Sequence, residues 1–266
     1  MTQENRPLES LKLVFLFGTR NLSRVPFERS CKTEPSSPRL PKVKCQRTCP
    51  LDMLLFFKNG ENILIEHGKK TLGELLKENI FYNIINIDEK DLIELSDLFI
   101  TRKYIHNEML VKAGEKWDKV FFIHKGIIRL FYMNLEGQEY NKGFFWENQL
   151  LWPIAPSARK NDSLFNISAL ENVTVSVCDF SSFHSWLTRH GYWEKFALSY
   201  AELFVEDKFR REYEFLINSA TERFRHFCTE YPDLVRRIPD YHLASYLGIT
   251  NVTLSRIKKS INFNLC

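Results

Sequence analysis

The spacing of apolar residues changes twice along the chain, from helical to strand-like and back to helical. Apolar residues recur at helical spacing over 71–85 and 88–98, which predicts two helices. The spacing then falls to two, in short segments rich in Val, Ile, Phe and Tyr that turn residues separate. We predict five strands there: 108–111, 120–124, 127–133, 138–145 and 173–178. Many short strands at near-regular spacing are typical of an antiparallel barrel or sandwich.

A long helix is predicted over 193–218, and it carries two apolar stripes. The first stripe consists of Trp193, Phe196, Tyr200 and Leu203. The second, displaced around the helix, consists of Leu198, Ala201, Val205, Phe209, Tyr213 and Leu216. Two stripes need two partners. One partner is the β domain; the other is either a second copy of the helix in a dimer or a further part of the same subunit. The pattern alone does not choose between them.

The C-terminal segment predicts a helix-turn-helix. The capping box at 219–222 starts one helix, which Pro232 ends, and two short helices follow over 240–247 and 251–259. Ala244 is small where the short helices cross, Gly248 can adopt the left-handed conformation that ends the first, and Thr250 can cap the second. The packed interior is predicted to contain Leu243, Leu247, Ile249, Leu254 and Ile257.

In such a motif the second helix enters the major groove of DNA, with its N-terminal residues facing base edges. Asn251 can pair with adenine, and Arg256 can pair with guanine. Thr253 and Ser255 can contact bases or phosphate. Thr250, which caps the helix, lies beside them. The predicted phosphate contacts are the basic side chains Lys258, Lys259, Arg236 and Arg237. The alternative is a purely structural helical hairpin that binds no ligand.

Charge is distributed unevenly along the 266 residues. The formal net charge is +4, but residues 1–50 carry +6 and residues 51–266 carry −2, while residues 233–266 carry +3. The positive charge that bears on DNA binding is therefore local. Residues 1–52 are rich in proline and show no sustained period, which predicts a basic, disordered extension. Because Met53 begins a more ordinary sequence, this extension could partly reflect an over-long start assignment.

Several other classes of protein are disfavoured by the composition. No apolar run approaches the roughly 18 residues of a membrane helix, so we expect no membrane partner. Six scattered cysteines do not form a secreted disulfide framework, and no signal peptide is evident, which predicts a cytoplasmic protein. A metal-binding β-roll would need clustered strand histidines, and no motif for nucleophilic or phosphate chemistry is present. We therefore predict neither an enzyme nor a metal site.

The order of helix, β-roll, long helix and C-terminal helix-turn-helix resembles the cyclic-AMP receptor protein and fumarate-nitrate regulator (Crp/Fnr) family of bacterial transcription factors. Residues 113–130 resemble the opening of that family's cyclic-nucleotide-binding β-roll, and residues 238–259 resemble its DNA-binding motif. The resemblance implies an α+β fold with an antiparallel jelly roll. It also implies a homodimer through the long helix, a pseudo-palindromic operator in double-stranded DNA, and contact with RNA polymerase. The predicted domains are 1–52, 53–192, 193–218 and 219–266.

The sequence departs from the family at the position of the cyclic-nucleotide phosphate. The family's cassette there has a Gly-Glu pair and a later Arg, but residues 151–169 contain neither Gly nor Glu, and their only arginine is Arg159. A buried phosphate without a charged partner is costly, so we expect that cyclic AMP is not bound in the family's usual way. A different effector is possible in an apolar pocket predicted from Phe145, Trp146, Leu150, Trp152, Phe165 and Arg159. These residues could equally fill the core without any ligand.

Two alternative functions remain open. In a redox regulator of the same fold, an iron–sulfur cluster would be bound by Cys31, Cys45, Cys49 and Cys178, although their spacing is looser than that of the family's cluster-binding branch. The other alternative is a degenerate dimeric protein-interaction module that has lost DNA binding.

Overall fold

A computed structural model describes residues 70–82 and 84–261, which belong to the compact unit Thr48–Cys266. The predicted extension 1–52 and the cysteines Cys31, Cys45, Cys49 and Cys266 lie outside the described residues. The domain boundaries therefore stay predictions. In the described part no helix is long and apolar enough to cross a membrane.

Two N-terminal helices precede the sheets. Helix α1 (Leu72–Leu76) begins at a capping box in which the Thr71 side chain accepts from the Glu74 N–H, and it continues as a π-helical turn over Lys77–Phe81. Helix α2 (Glu89–Ser96) follows. The continuous helix predicted over 71–85 is thus shorter and changes its winding, and the consecutive Ile80 and Phe81 are both buried.

Eight strands in the described residues form two antiparallel four-stranded sheets. Their orders are β1-β8-β3-β6 and β2-β7-β4-β5. The bounds are β1 Ile100–Tyr104, β2 Met109–Val111, β3 Lys119–Lys125, β4 Ile128–Met133, β5 Glu139–Phe145, β6 Leu150–Leu151, β7 Asn166–Ala169 and β8 Val173–Asp179. The predicted α+β jelly roll is confirmed, and all five predicted strands are present. Strands β1, β6 and β7 are additional.

The apolar residues of this β-roll form two cores. One core contains residues of both sheets, including Phe121, Ile128 and Val175. The other joins the outer side of the first sheet to the helices α1, α2, α4 (Phe180–Arg189) and α5 (Trp193–Ile217). The short helix α3 (Pro156–Lys160) lies in the loop before β7.

The two apolar stripes of α5 have different environments. Phe196 is fully buried, and Trp193 and Tyr200 pack against the helical side of the β-roll. By contrast, the predicted dimerisation residues Leu198, Val205, Phe209, Tyr213 and Leu216 are 47–74% exposed. One stripe therefore belongs to the subunit core, and the second has no partner among the described residues.

Four helices form the C-terminal end: α6 (Ala220–Glu230), α7 (Leu234–Arg237), α8 (Asp240–Leu247) and α9 (Asn251–Ser260). The predicted capping box is present, since the Ser219 side chain accepts from the Glu222 N–H. The apolar core of these helices continues into the β-roll, because it includes Ile127, Phe144 and Leu170. The helical end is therefore docked on the β-roll through a shared core.

Candidate nucleic-acid interface and adjoining cavity

The turn between α8 and α9 has the conformation that its sequence predicts. Gly248 adopts φ +68°, and the Ile249 N–H donates to the Ala244 carbonyl at 3.0 Å. A Cβ added at Gly248 would lie 2.5 Å from Cε1 of Phe215 on α5. The hydroxyl of Thr250 accepts from the Thr253 N–H at 3.1 Å and starts α9. Both the backbone angle and the close approach of α5 therefore require glycine.

The interior of the helix-turn-helix is packed as predicted. Leu243, Ala244, Leu247, Leu254 and Ile257 are buried, and Ile249 is partly buried against them. The last carbonyls of α8 are satisfied by arginines of neighbouring helices: Arg211 donates to the Tyr246 carbonyl at 2.9 Å, and Arg223 donates to the Leu247 carbonyl at 3.1 Å. The motif is thus held from α5 and α6 as well as by its own core.

One face of α9 is open to solvent. Asn251, Val252, Ser255, Arg256 and Lys259 are exposed, and their positions recur at helical spacing on a single side. The exposed apolar Val252 suits a thymine methyl group. Thr253 is only partly exposed, and its hydroxyl lies 2.8 Å from that of Thr250, so these two side chains serve chiefly the helix start. Within the described residues, Arg256, Lys259 and the exposed Arg236 have no ion-pair partner.

Two predicted phosphate contacts are instead used within the protein. Arg237 donates to both carboxylate oxygens of Glu147, at 2.8 and 2.9 Å, and to Glu171, and both acids belong to the β-roll. Lys258 forms an ion pair with Asp240, which joins α9 to α8. Because both cations have acidic partners, Arg237 and Lys258 stabilise the docked helical end, and their phosphate contacts stay predictions.

A buried polar cluster lies between β5 and α8. Asn141 donates from its side chain to the His242 carbonyl at 3.1 Å, and its backbone N–H donates to the Ser245 hydroxyl at 2.9 Å. The Nδ1 atom of His242 lies 3.2 Å from Asn141 Nδ2 and 3.3 Å from an Arg129 nitrogen. Two donors facing Nδ1 require that this nitrogen accepts, so the imidazole is neutral with its proton on Nε2.

The pKa values of two groups at the contact between the β-roll and the helical end are lowered. Burial, together with Arg129, lowers the pKa of His242 from 6.5 to about 4. Burial alone would raise the pKa of Glu147, but hydrogen bonds from Arg237 and the Gly126 N–H lower it. Both shifts keep the docked state in one protonation form at neutral pH: His242 uncharged and Glu147 ionised.

A cavity of about 230 Å³ lies where β5, α5 and the helix-turn-helix end meet. Its wall includes Phe145, Trp146 and Leu150, three of the six residues predicted to line an effector pocket. The C-terminal helices contribute further aromatic side chains, among them Phe227, Tyr231 and Tyr246. The cavity therefore borders both the β-roll and the helix-turn-helix end.

The other three predicted pocket residues do not line this cavity. Trp152 is fully buried in the helical-side core, with its ring 5.4 Å from that of Phe196. Phe165 packs its ring edge-to-face against Trp117 at 5.7 Å in the core between the sheets. Arg159 donates to the Ile154 carbonyl at 3.0 Å and lies beside aromatic rings. Of the window 151–169, only Ile154 reaches the cavity wall.

Sequence reasoning missed the most unusual residue of the cavity, Lys142 on β5. Its ammonium nitrogen lies 4.9 Å from the ring centre of Phe165 and 5.6 Å from that of Phe204, and no carboxylate of the described residues is within ion-pair distance. Burial, with Lys208 nearby, lowers the pKa of Lys142 to about 8. The sequence offered one indication, namely that a lysine stands within a segment predicted to be a strand.

A buried cysteine and a cluster of possible metal ligands bear on the redox alternative and on the predicted absence of a metal site. The Cys178 thiol is buried in the helical-side core, and burial raises its pKa, which disfavours the thiolate that a cluster ligand must supply. Asp91, Glu94 and His190 place possible ligand atoms within 4.8 Å of one another, and the predicted absence of a metal site stays a prediction. Asp91 already accepts a hydrogen bond from the Tyr192 hydroxyl at 3.0 Å.

Comparison with solved structures identifies the fold. The chain is similar to FixK2 from Bradyrhizobium japonicum, with a TM-score of 0.55 and 14% identity over 62% of this chain and 85% of that one. It is also similar to CLP of Xanthomonas campestris, described as a c-di-GMP responsive global regulator, with a TM-score of 0.53 and 11% identity over 66% and 93% of the two chains. Neither a protein-family model nor a curated protein matches the sequence. The described residues thus have the fold of Crp/Fnr-type regulators, which confirms the resemblance at the level of architecture.

Proposed function

We propose that this protein is a homodimeric, sequence-specific DNA-binding transcriptional regulator rather than an enzyme. The observation that carries the proposal is the contrast within α9. Its apolar residues are buried in the helix-turn-helix, whereas Asn251, Val252, Ser255, Arg256 and Lys259 form one exposed face. A major-groove reader needs this arrangement. The two structural neighbours are regulators of the same fold, which supports the same class of function.

The exposed residues have distinct roles in this proposal. Arg256 reads guanine and Asn251 reads adenine, while Ser255 contacts a base or a phosphate. Lys259 and Arg236 contact phosphates, because both are exposed and have no ion-pair partner within the described range. Thr250 and Thr253 position the start of the recognition helix.

The homodimer forms through the exposed stripe of α5. Leu198, Val205, Phe209, Tyr213 and Leu216 are exposed apolar residues on a helix whose opposite side is already packed. A second copy of the same helix is the occupant that the family resemblance favours. Two recognition helices related by a two-fold axis would read half-sites about one helical turn apart, on a pseudo-palindromic operator. In a bacterial cytoplasm such a dimer would contact RNA polymerase.

The β-roll, on this proposal, does not bind cyclic AMP in the family's usual way. Arg159, the only arginine in the window 151–169, donates to the Ile154 carbonyl and lies beside the rings of Phe180 and Trp193. No other Lys or Arg except Lys160 is present in that window, and Lys160 is exposed. A nucleotide phosphate would therefore lack a buried cationic partner there.

Selection of bound duplexes from a random DNA library tests the function. We expect a pseudo-palindromic consensus, and we expect Arg256→Ala to weaken binding to it by roughly 10- to 100-fold and to relax the preference at one base pair of each half-site. The matched control is Arg102→Ala, which removes an exposed arginine of β1 in the β-roll and should bind normally. Recovery of random sequence, or equal binding by Arg256→Ala and Arg102→Ala, would refute the assignment.

A further inference from the structure

The cavity beside Lys142 combines aromatic walls with an excess of positive charge. The wall contains rings from the end of β5, from α5 and from the C-terminal helical end: Phe145, Trp146, Phe204, Tyr231 and Tyr246. The charged residues of the wall are Lys142, Lys208, Arg210 and Asp207. Three cations thus face one carboxylate. Flat apolar walls favour an aromatic ring, and the charge favours an anion.

The single carboxylate of the wall is already occupied. Asp207 accepts from Arg210 at 3.1 Å and from Lys208 at 3.3 Å. Arg210 is satisfied further by Glu230 at 3.1 Å and by the Tyr231 hydroxyl at 3.3 Å. Lys142 alone of these cations has no carboxylate partner in the described part of the chain, and its ammonium group lies beside the rings of Phe165 and Phe204. A partly buried ammonium in this state is costly unless an anion joins it.

We propose that this cavity binds a small aromatic carboxylate, whose acid group pairs with Lys142 and whose ring lies among the aromatic walls. The site differs from the nucleotide-phosphate cassette of the family resemblance, because only Ile154 of residues 151–169 lines it. The acid group of the ligand would add a second negative charge beside Asp207 and so offset the excess positive charge of the cavity wall.

The volume sets the size of the ligand. A cavity of about 150 Å³ in another protein accommodates benzene. About 230 Å³ therefore suits one ring with a short acidic arm, such as benzoate or phenylacetate, and is too small for a dinucleotide. The neutral amides of the same acids have nearly the same shape, so they separate the contribution of charge from that of ring burial.

Binding would act on the docking of the DNA-binding end. The ligand would contact β5 and α5 together with Tyr231 and Tyr246, and the Tyr246 ring packs 5.4 Å from that of Phe144 on the β-roll. A ligand that prefers the docked arrangement shifts the population toward it. This regulatory consequence rests on the proposed function, whereas binding itself does not.

Titration calorimetry on the full chain at pH 7, without DNA, tests the site. We expect benzoate or phenylacetate to bind and their amides to bind more weakly by roughly tenfold or more. Lys142→Met should reduce the affinity for the acids to that of the amides. It should also fold normally, since it removes an unpaired charge and keeps the apolar stem. Lys142→Gln is a second variant with the same expectation, and Lys103→Met on the exposed strand β1 is the matched control.

The pH dependence gives a second readout. The acids bind the protonated form of Lys142, so their affinity should fall about tenfold per pH unit above pH 8, which the amides should not show. The other charged groups near Lys142 are Lys208, Asp207 and Arg211, and Arg210 lines the same cavity.

Two results would overturn the proposal. One is the absence of binding heat for both acids at concentrations up to about 10 mM. The other is equal affinity for the acids in Lys142→Met and Lys103→Met. Because no DNA is present, neither result bears on the proposed regulator function. Conversely, a failure to select DNA would leave ligand binding intact.

Discussion

The two sides of the helix-turn-helix end differ in how their polar groups are satisfied. The docked side meets the β-roll, where Arg237 joins Glu147 and Glu171 and where Asn141 is hydrogen-bonded to His242. The open side carries Arg256 and other cations that have no partner among the described residues. Both sides are basic in sequence. Only the structure separates charges that hold the domains together from charges available to a ligand.

Net positive charge is therefore a poor guide to a DNA contact. The segment 233–266 carries +3, yet two of its five cations, Arg237 and Lys258, are bound by acids of the same chain. The remaining cations are Arg236, Arg256 and Lys259. Desolvation and pairing, rather than sign alone, decide which side chains can exchange counterions for phosphates.

Helix α5 also has a packed side and an open side, and we expect a charge on its open side to have the greatest effect on DNA affinity. Phe209→Glu places a charge in the exposed stripe, so the dimer should dissociate while the subunit stays folded. Because two linked half-site contacts become one, we expect operator affinity to fall by about 100-fold or more. Sedimentation measures the mass, and Leu135→Glu, which also replaces an exposed apolar side chain by a carboxylate but lies in the turn between β4 and β5, is the control. A Phe209→Glu protein that stays dimeric would show that the stripe is not the interface.

The neighbouring Arg236 and Arg237 lie on the open and the docked side, so their substitutions should affect DNA binding and stability differently. Arg237→Ala leaves two partly buried carboxylates without their cation, so we expect the free energy of unfolding to fall by about 2 kcal/mol. Arg236→Ala should leave stability within about 0.5 kcal/mol and should weaken DNA binding across sequences. Urea unfolding and filter binding measure both quantities. Equal destabilisation by the two changes would remove the distinction between the docked and open sides.

The smallest effect concerns pH and His242. Its pKa of about 4 in the folded chain lies below the ordinary 6.5, so below pH 6.5 the unfolded chain binds a proton that the docked state excludes. Stability should therefore fall by about 1–2 kcal/mol between pH 7 and pH 5 on this account. The charged or titratable groups around it are Arg129, Glu139 and His106. In His242→Gln the slope should flatten; an unchanged slope would assign the titration to other groups.

Local signals predicted the helix-turn-helix closely. Gly248, the Thr250 cap and the Ser219 capping box act within a few residues, so the sequence alone specifies them. Strand β6 has only two residues, and β1 is almost entirely exposed with polar Thr101, Arg102 and Lys103, so neither shows a usable period.

The cavity and the docking contacts were predicted poorly because they depend on distant pairings. Arg237 finds Glu147 and Glu171 across 90 and 66 residues, which no local pattern encodes. Trp152 and Phe165 are aromatic like true wall residues, but the fold turns them into two different cores. Lys142 became a candidate only when the structure showed rings around it and no acid within reach.

In the proposed function, the open side of α9 binds DNA through cations that have no ion-pair partner among the described residues. The most direct measurement is the affinity of the full chain for its selected duplex at several salt concentrations. We expect the logarithm of the affinity to fall linearly with the logarithm of salt, and Lys259→Ala to reduce the slope by about one unit per subunit, whereas Lys258→Ala leaves it nearly unchanged. An affinity that does not depend on salt, or a smaller slope in Lys258→Ala than in Lys259→Ala, would contradict the account.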